Sequence, residues 1–235
     1  MWELKISPDD RILVVSPHPD DESIGCGGLL LNYGSQCDVL LVTDGRTAHG
    51  EDETDDECAR ERQKEFEKVF EYAPVNEYFL FNVPDGKAWR CEKKLSEFDF
   101  SPYTKIFVPN RAEENVDHRA VNENVRRVMR KMRLRAELYE YEVWAPLAFP
   151  THFLDISAQI GEKEKLIDCY KSQLRLRDYH AMVQGINAFR GVICHTEYAE
   201  AYEWITPKNK WKKRFFLLPV RMQLDLLKWV HKQKQ

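Results

Sequence analysis

The sequence predicts an α/β fold, a Rossmann-like and mostly parallel sheet with helices on both faces. Two observations support this: short β-branched apolar runs recur between residues 11 and 145, and segments with helical spacing of apolar residues separate them. Strands that alternate with helices are typical of a parallel sheet with crossover helices. The 235 residues show no repeat and no Gly/Ser linker, so residues 1–235 are expected to form one domain.

Five strands are predicted from short runs of apolar and β-branched residues. They are residues 11–16, Cys37–Thr43, Glu77–Val83, Lys105–Pro109 and residues 139–145. Glycines 25, 27 and 28 precede three leucines, which predicts a turn that opens into a helix. Apolar residues at helical spacing predict four further helices, over residues 58–72, 120–132, 158–174 and 178–189.

Composition and charge exclude several classes of protein. The net charge of −4 argues against a basic nucleic-acid binder, so no nucleic-acid partner is expected. The six cysteines are scattered and form no C-x-x-C pair, which argues against a cysteine zinc site and indicates reduced thiols. The first residues lack a basic segment followed by a long apolar run, which argues against a signal peptide, and no apolar run approaches the ~20 residues that span a bilayer. A cytoplasmic location is expected.

The last segment of the chain, residues 208–235, has a different composition. It holds nine Lys/Arg and a single acid, Asp225, with apolar residues interleaved. The favoured interpretation is a C-terminal helix that packs on the core and turns its lysines to water. The alternative is peripheral contact with an anionic inner membrane surface. The oligomeric state is left open.

The densest group of chemically active residues follows the first predicted strand, in residues 16–22 (SPHPDDE). Ligands of open parallel sheets bind beyond the carboxyl ends of the strands, which places this loop where a site is expected. A catalytic zinc needs about three protein ligands and one open position. His18 and Asp21 could chelate one ion in this Pro-restrained turn, which leaves Asp20 to accept a proton from water.

The third ligand should come from a second strand end. Residues 115–120 (NVDHRA) follow the strand Lys105–Pro109, and His118 lies near the start of the next helix. His18, Asp21 and His118 would form a two-histidine, one-carboxylate set that is typical of catalytic zinc, and Asp117 could orient one of these ligands. The competing interpretation is two capped, solvated loops, since Asp and Pro favour turns and Asp caps helices.

At these residues the sequence resembles the PIG-L/LmbE-like deacetylases, the GlcNAc-PI de-N-acetylase-like family. Their first motif, A/S-H-P-D-D-E, is matched by residues 17–22, and their later motif, H-P-D-H-R-A, is partly matched by residues 115–120. Weaker similarities are spread along the rest of the chain: T-x-G at residues 43–45, R-x-x-E at 62–65, Lys165, Ser172-Gln173, and Ala-Glu-Ala-Tyr at 199–202.

The resemblance implies a zinc-dependent hydrolase that removes an N-acetyl group from an amino-sugar or glycolipid, with another divalent metal such as Fe²⁺ as an alternative. It implies that His18, Asp21 and His118 bind the metal and that Asp20 is the general base. It makes Arg62 a candidate for substrate contact. Asp85 and Arg46 are further candidates. The alternative for Arg62 is a surface salt bridge, and that for Asp85 is a turn residue.

One departure from the family pattern lies at Asn115, where the family usually has a histidine that stabilises the oxyanion or acts as an acid. Asn still donates a hydrogen bond to an oxyanion, but it cannot carry a proton at neutral pH. Asp20 or another histidine could supply that proton; the candidates are His49, His152, His180 and His195. The competing functions are a metal hydrolase of a non-sugar amide and a catalytically silent scaffold.

Overall fold

A computed structural model describes residues 1–206 and residue 222. The described residues form one eight-stranded sheet. Its strands are β1 (Trp2–Glu3), β2 (Ile12–Ser16), β3 (Cys37–Thr43), β4 (Glu77–Val83), β5 (Lys105–Pro109), β6 (Glu137–Tyr141), β7 (His152–Asp155) and β8 (Ala199–Trp204). Their order is β1-β7-β8-β6-β5-β2-β3-β4.

The sheet is mostly parallel. Strands β2 to β6 run in one direction, and β1 is parallel to β7. Strand β8 is the exception, because it pairs antiparallel with both β6 and β7. A single antiparallel strand in a parallel sheet is common in α/β folds, and the predicted fold class is confirmed.

Helices cover both faces of the sheet. They are α1 (Asp21–Tyr33), α2 (Asp55–Tyr72), α3 (Glu92–Glu97), α4 (Val116–Met132), α5 (Ile160–Ile167), α6 (Lys171–Leu174) and α7 (Tyr179–Cys194). Side chains of β2 alternate between two apolar cores: Ile12 and Val14 pack with α1, α2, α5 and α7, whereas Leu13 and Val15 pack with α3 and α4. Both faces of the strand are therefore buried, which explains its continuous apolar sequence.

The prediction of a glycine turn before the first helix is wrong. Helix α1 begins at Asp21, so the three glycines lie inside it. A Cβ at Gly25 would lie 2.3 Å from Cδ2 of Tyr141, and one at Gly28 would lie 2.2 Å from Cγ2 of Ile156. The glycines therefore allow α1 to pack closely against its neighbours. This close contact lies in the part of α1 that directly follows residues 16–22 (SPHPDDE).

Replacing Gly25 by Ala should destabilise the protein by at least about 1–3 kcal/mol, because the added methyl group overlaps Tyr141 and the carbonyl oxygen of Glu142. Gly185→Ala in α7 is the matched control, since a Cβ there meets nothing within 4 Å. The control should be neutral or more stable by up to about 1 kcal/mol through helix propensity. Chemical denaturation measures both, and equal unfolding midpoints would contradict the close-packing argument.

Other element bounds differ in instructive ways. The predicted helix over residues 158–174 is two short helices, α5 and α6, and the predicted strand over 139–145 is β6, which ends at Tyr141. Helix α2 begins at Asp55 with a capping box between Thr54 and Glu57, so the acidic run contains a helix N-terminus. Strands β1, β7 and β8 and helix α3 were not predicted.

The basic segment over residues 208–235 lies outside the described residues except for Met222, and its contact with a membrane stays a prediction. Among residues 1–206 and 222, no helix is both long enough and apolar enough to cross a bilayer.

Candidate functional site

The site lies where two neighbouring strands end. Strands β2 and β5 are adjacent and parallel, so the loops that follow them leave the sheet at the same edge. His18 follows β2 by two residues, and His118 lies in the first turn of α4, which follows β5. This topology brings together two histidines that are 100 residues apart in the chain.

Three side-chain atoms form a nearly equilateral triangle at this edge. Nδ1 of His18 lies 3.1 Å from Nε2 of His118 and 3.3 Å from Oδ2 of Asp21. Nε2 of His118 lies 3.1 Å from the same oxygen of Asp21. All three residues are buried, and together they could hold a metal ion.

The triangle has the dimensions that a small tetrahedral cation requires. For an ion bound at about 2.0–2.1 Å, neighbouring ligand atoms of a tetrahedron lie about 3.3 Å apart. The three observed distances of 3.1–3.3 Å match this spacing. The residues present therefore fit a divalent metal with three protein ligands and a fourth position for another group.

The remote nitrogen of each imidazole meets a carboxylate. Nδ1 of His118 contacts Oε2 of Glu113, and Nε2 of His18 lies 3.0 Å from Oδ1 of Asp85. A carboxylate accepts the N–H of an imidazole, which leaves the lone pair of the other nitrogen directed at the metal. Glu113 and Asp85 thus select the tautomers that the proposed ligand set needs.

Glu113 was not predicted as a site residue. It is 2% exposed, and its Oε1 accepts hydrogen bonds from the backbone amides of Val143, Trp144 and Ala145 at 3.2, 3.1 and 3.4 Å. It therefore fixes both His118 and the loop after β6. In the sequence, Glu113 and Glu114 closely follow Arg111, and such a cluster of charged residues is typical of a solvated turn.

Asp117 and Asn115 organise the start of α4. Both carboxylate oxygens of Asp117 accept backbone amides, from Gly86 at 2.6 Å and Ala88 at 3.1 Å, and Oδ2 lies 3.5 Å from Nε2 of His18. Asn115 is the N-cap, and its Oδ1 accepts from the amide of Asp117 at 2.9 Å. This capping hydrogen bond uses the side-chain oxygen of Asn115, so the side-chain NH₂ group can donate to other partners.

Asp20 occupies a strained backbone conformation with φ of 125° at the N-cap of α1. Non-glycine residues at positive φ are uncommon and cluster at functional sites. Its Oδ2 accepts a hydrogen bond of 3.0 Å from Arg62, whose guanidinium also donates to the carbonyl oxygens of Pro19 and Gly45. Arg62 is 2% exposed, so this structure shows it positioning Asp20 and its loop.

Burial and neighbouring charges set the protonation of these groups. Burial raises the pKa of Asp20 to about 7, although the positive charge of Arg62 opposes this shift. Burial also disfavours the charged form of Asp21, but the two histidines outweigh it and hold the pKa of Asp21 well below its usual range. Burial lowers the pKa of His118, yet Asp21 and Glu113 together raise it to about 9. The pKa values of these two adjacent aspartates are therefore shifted in opposite directions.

The weaker motifs of the sequence also lie around this site. Thr43 donates its hydroxyl to the carbonyl oxygen of Pro17 at 2.8 Å, which ties β3 to the SPHPDDE loop. Gly45 has φ of 66°, and a Cβ there would lie 2.6 Å from the guanidinium of Arg62. Glu65 of the R-x-x-E motif accepts both the amide and the hydroxyl of Ser172, at 2.7 and 2.6 Å.

The last weak motif, at residues 199–202, contacts the backbone of α1. Glu200 accepts the backbone amides of Gly28 and Leu29 at 2.7 and 3.0 Å, and it pairs with Nζ of Lys163 at 2.7 Å. Lys163 is fully buried, whereas Lys165, which the resemblance indicated, is exposed and pairs with Glu162.

A cavity of about 790 Å³ opens beside His18, the residue of the triangle that lines it. Its lining includes His18, Asp20, Arg62, Asp85 and Asn115, all predicted from the sequence, together with Thr47, Ala48, His49, Glu114, Trp144, Gln173, Leu176, Arg177 and Tyr179. Arg46 is not part of this lining and pairs with Asp44 at 2.6 Å.

Of the four additional histidines considered as proton donors, His49 lines the cavity and contacts Asp55 at 2.9 Å. His180 pairs with Asp168, His152 packs against Tyr139 in the sheet, and His195 is the left-handed C-cap of α7.

Solved structures with this fold include enzymes of more than one activity. N,N'-diacetylchitobiose deacetylase from Pyrococcus horikoshii aligns with a TM-score of 0.68 and 19% identity, over 83% of this chain and 84% of that one. The 4-carboxy-2-hydroxymuconate hydratase GalB from Pseudomonas putida aligns with a TM-score of 0.67 and 17% identity, over 84% and 97% of the two chains. The zinc-inhibited form of the teicoplanin deacetylase Orf2 aligns with a TM-score of 0.61 and 16% identity, over 83% and 97%.

At these identities the similarity establishes the fold alone. No curated protein matches the chain significantly in sequence. The family model for PIG-L, described as GlcNAc-PI de-N-acetylase, matches residues 13–129, a stretch that runs from β2 through most of α4 and contains every proposed ligand. The chain belongs to the PIG-L family.

Proposed function

We propose that this protein is a zinc-dependent hydrolase that removes an N-acetyl group from an amino-sugar or glycoconjugate. The observation that carries the proposal is the triangle of His18, Asp21 and His118, whose edges of 3.1–3.3 Å suit a tetrahedral ion with an open position. Two nitrogen ligands and one carboxylate are typical of catalytic rather than structural zinc. Fe²⁺ is the alternative metal.

The residues around the triangle can carry the proton transfers of amide hydrolysis. When bound, zinc would supply Lewis acidity, lowering the pKa of water and polarising a carbonyl. Asp20 is not part of the ligand triangle, and its carboxylate can accept a proton from the attacking water and return it to the leaving amine. Arg62 holds Asp20 in place at 3.0 Å, and the amide donors of Asn115 can stabilise the developing oxyanion.

An N-acetylated amino-sugar is the proposed substrate class. The family's description and the two deacetylases among the structures of the same fold support it. The cavity also suits a whole small molecule, because ligand pockets commonly measure about 300–1,000 Å³. Asp85 remains a candidate sugar contact, since it lines the cavity while it contacts His18.

Removing the metal should abolish acetate release. The full chain is incubated with a panel of N-acetylated amino-sugars and with non-sugar N-acyl amides, as purified, after chelation and after adding back Zn²⁺ or Fe²⁺. We expect acetate from the sugar amides, loss on chelation and recovery with metal. Equal release in the presence of excess chelator would overturn the metal mechanism, and release from non-sugar amides alone would overturn the substrate class.

A catalytically silent scaffold is the competing function that the sequence left open, because Asn115 replaces the usual histidine. The described residues argue against it: the ligand triangle, the base and the two carboxylates that orient the histidines are all in place. A scaffold would give metal binding without acetate release in the same experiment.

A further inference from the structure

One wall of the cavity carries an arginine, Arg177, beside Trp144. The guanidinium carbon of Arg177 lies 4.8 Å from the ring centroid of Trp144, and Trp144 packs edge-on against Tyr179 with 5.8 Å between centroids. An arginine over an indole face is attracted by the ring, yet all its N–H donors remain available at the edge of the guanidinium. The stack therefore holds a cation in place at the cavity.

Arg177 differs from the other arginines near the site. Arg62 is bonded to Asp20, and Arg46 pairs with Asp44 at 2.6 Å. Arg175, two residues before Arg177, pairs with Glu61 at 3.2 Å. Within residues 1–206 and 222, no carboxylate lies within ion-pair distance of the Arg177 guanidinium. Each of the other three has a carboxylate partner, whereas Arg177 has none among the described residues.

The carboxylates that line the cavity do not pair with Arg177. Asp20 binds Arg62, and Asp85 contacts His18 and Thr47. Glu114 is exposed on the lining and is not close enough to Arg177 to form an ion pair. A guanidinium with no carboxylate partner in the part of the chain that the structure describes is suited to phosphate or carboxylate, which it binds with two parallel charge-assisted hydrogen bonds.

We propose that Arg177, held by Trp144, is an anion-binding subsite, and that the preferred substrate is an N-acetylated amino-sugar bearing a phosphate or carboxylate group. The inference rests on the proposed deacetylase function and names the class of substrate for that site. The cavity of about 790 Å³ has room for a charged substituent beyond the reacting acetyl group.

Binding and turnover test the subsite separately. Zinc-loaded Asp20→Asn chain is titrated calorimetrically with N-acetylglucosamine, its 1-phosphate, its 6-phosphate and N-acetylmuramic acid, and acetate release by the wild type is measured on the same compounds. At least one anionic sugar should bind about tenfold or more tightly than the neutral one, an advantage that shrinks at high salt. The phosphate and carboxylate compounds identify which anion is selected.

Arg177→Gln should remove this advantage, lowering the affinity for the anionic sugar far more than that for N-acetylglucosamine. Arg175→Gln, the matched control on the same turn, should retain it. Equal affinities for neutral and anionic sugars, or equal losses in the two variants, would overturn the anion subsite. Binding that depends on Arg177, without acetate release, would overturn the deacetylase function but support the anion subsite. Acetate release from neutral sugars, with no preference for anionic ones, would support the deacetylase function but overturn the subsite.

Discussion

Asp20→Asn should lower acetate release by about 10²–10⁴-fold while the protein still binds zinc. Asparagine matches aspartate in size and is one of the non-glycine residues that most often adopt positive φ, so the loop around φ of 125° should persist. What it lacks is a carboxylate that can accept a proton from water. Steady-state kinetics and elemental analysis of the same preparation measure the two properties together.

His118→Ala is the contrasting variant, because it removes a ligand rather than the base. It should lose both acetate release and zinc, whereas Asp20→Asn loses acetate release alone. Full activity of Asp20→Asn would show that the general base is another residue. One candidate is His49, which lines the same cavity and is not one of the proposed metal ligands. Loss of zinc from Asp20→Asn would show that Asp20 belongs to the metal's ligands.

The strands that the sequence predicted best are short apolar runs between turns, whether buried on both faces, as β3 is, or at the edge of the sheet and largely exposed, as β4 is. The bounds of β3, β4 and β5 agree with prediction, since flanking turns delimit short apolar runs. Strand β8 was missed because its sequence, AEAYEW, contains two glutamates that indicate an exposed segment. In the fold Glu200 is buried against Lys163 and two amides of α1, so a long-range partner makes a polar sequence suitable for the core.

The candidate site was also predicted only in part. His18, Asp21 and His118 were predicted to meet because each follows a strand end, and the parallel order of β5 and β2 brings them to one edge. Arg62 lines the cavity, and its contact with substrate stays a prediction. The contact of Arg62 with Asp20 was not predicted, because it joins residues 42 apart in the sequence that no local pattern connects. Glu113 escaped notice for the same reason, since its partners lie on the loop after β6.

Glu113→Gln should lower zinc affinity by about 10–100-fold or more without unfolding the protein. Three backbone N–H groups point at Oε1 of Glu113, so the oxygen of glutamine must stay there. The NH₂ group of glutamine then faces Nδ1 of His118, where the wild type has an acceptor. Two donors cannot share this contact, and His118 must move its proton to Nε2, the atom that points at the metal.

Competition with a chromogenic chelator measures the zinc affinity, and ¹⁵N chemical shifts of the imidazole report the tautomer of His118 without reference to activity. Glu123→Gln changes a half-buried glutamate on α4, the helix of His118, that pairs with Arg130; it is the control and should leave both unchanged. A thermal unfolding curve close to wild type would show that the loop after β6 is still held. Wild-type zinc affinity in Glu113→Gln would mean that the carboxylate does not set the tautomer. The orientation of the His118 ring would then depend on the start of α4 and on its contact with Asp21.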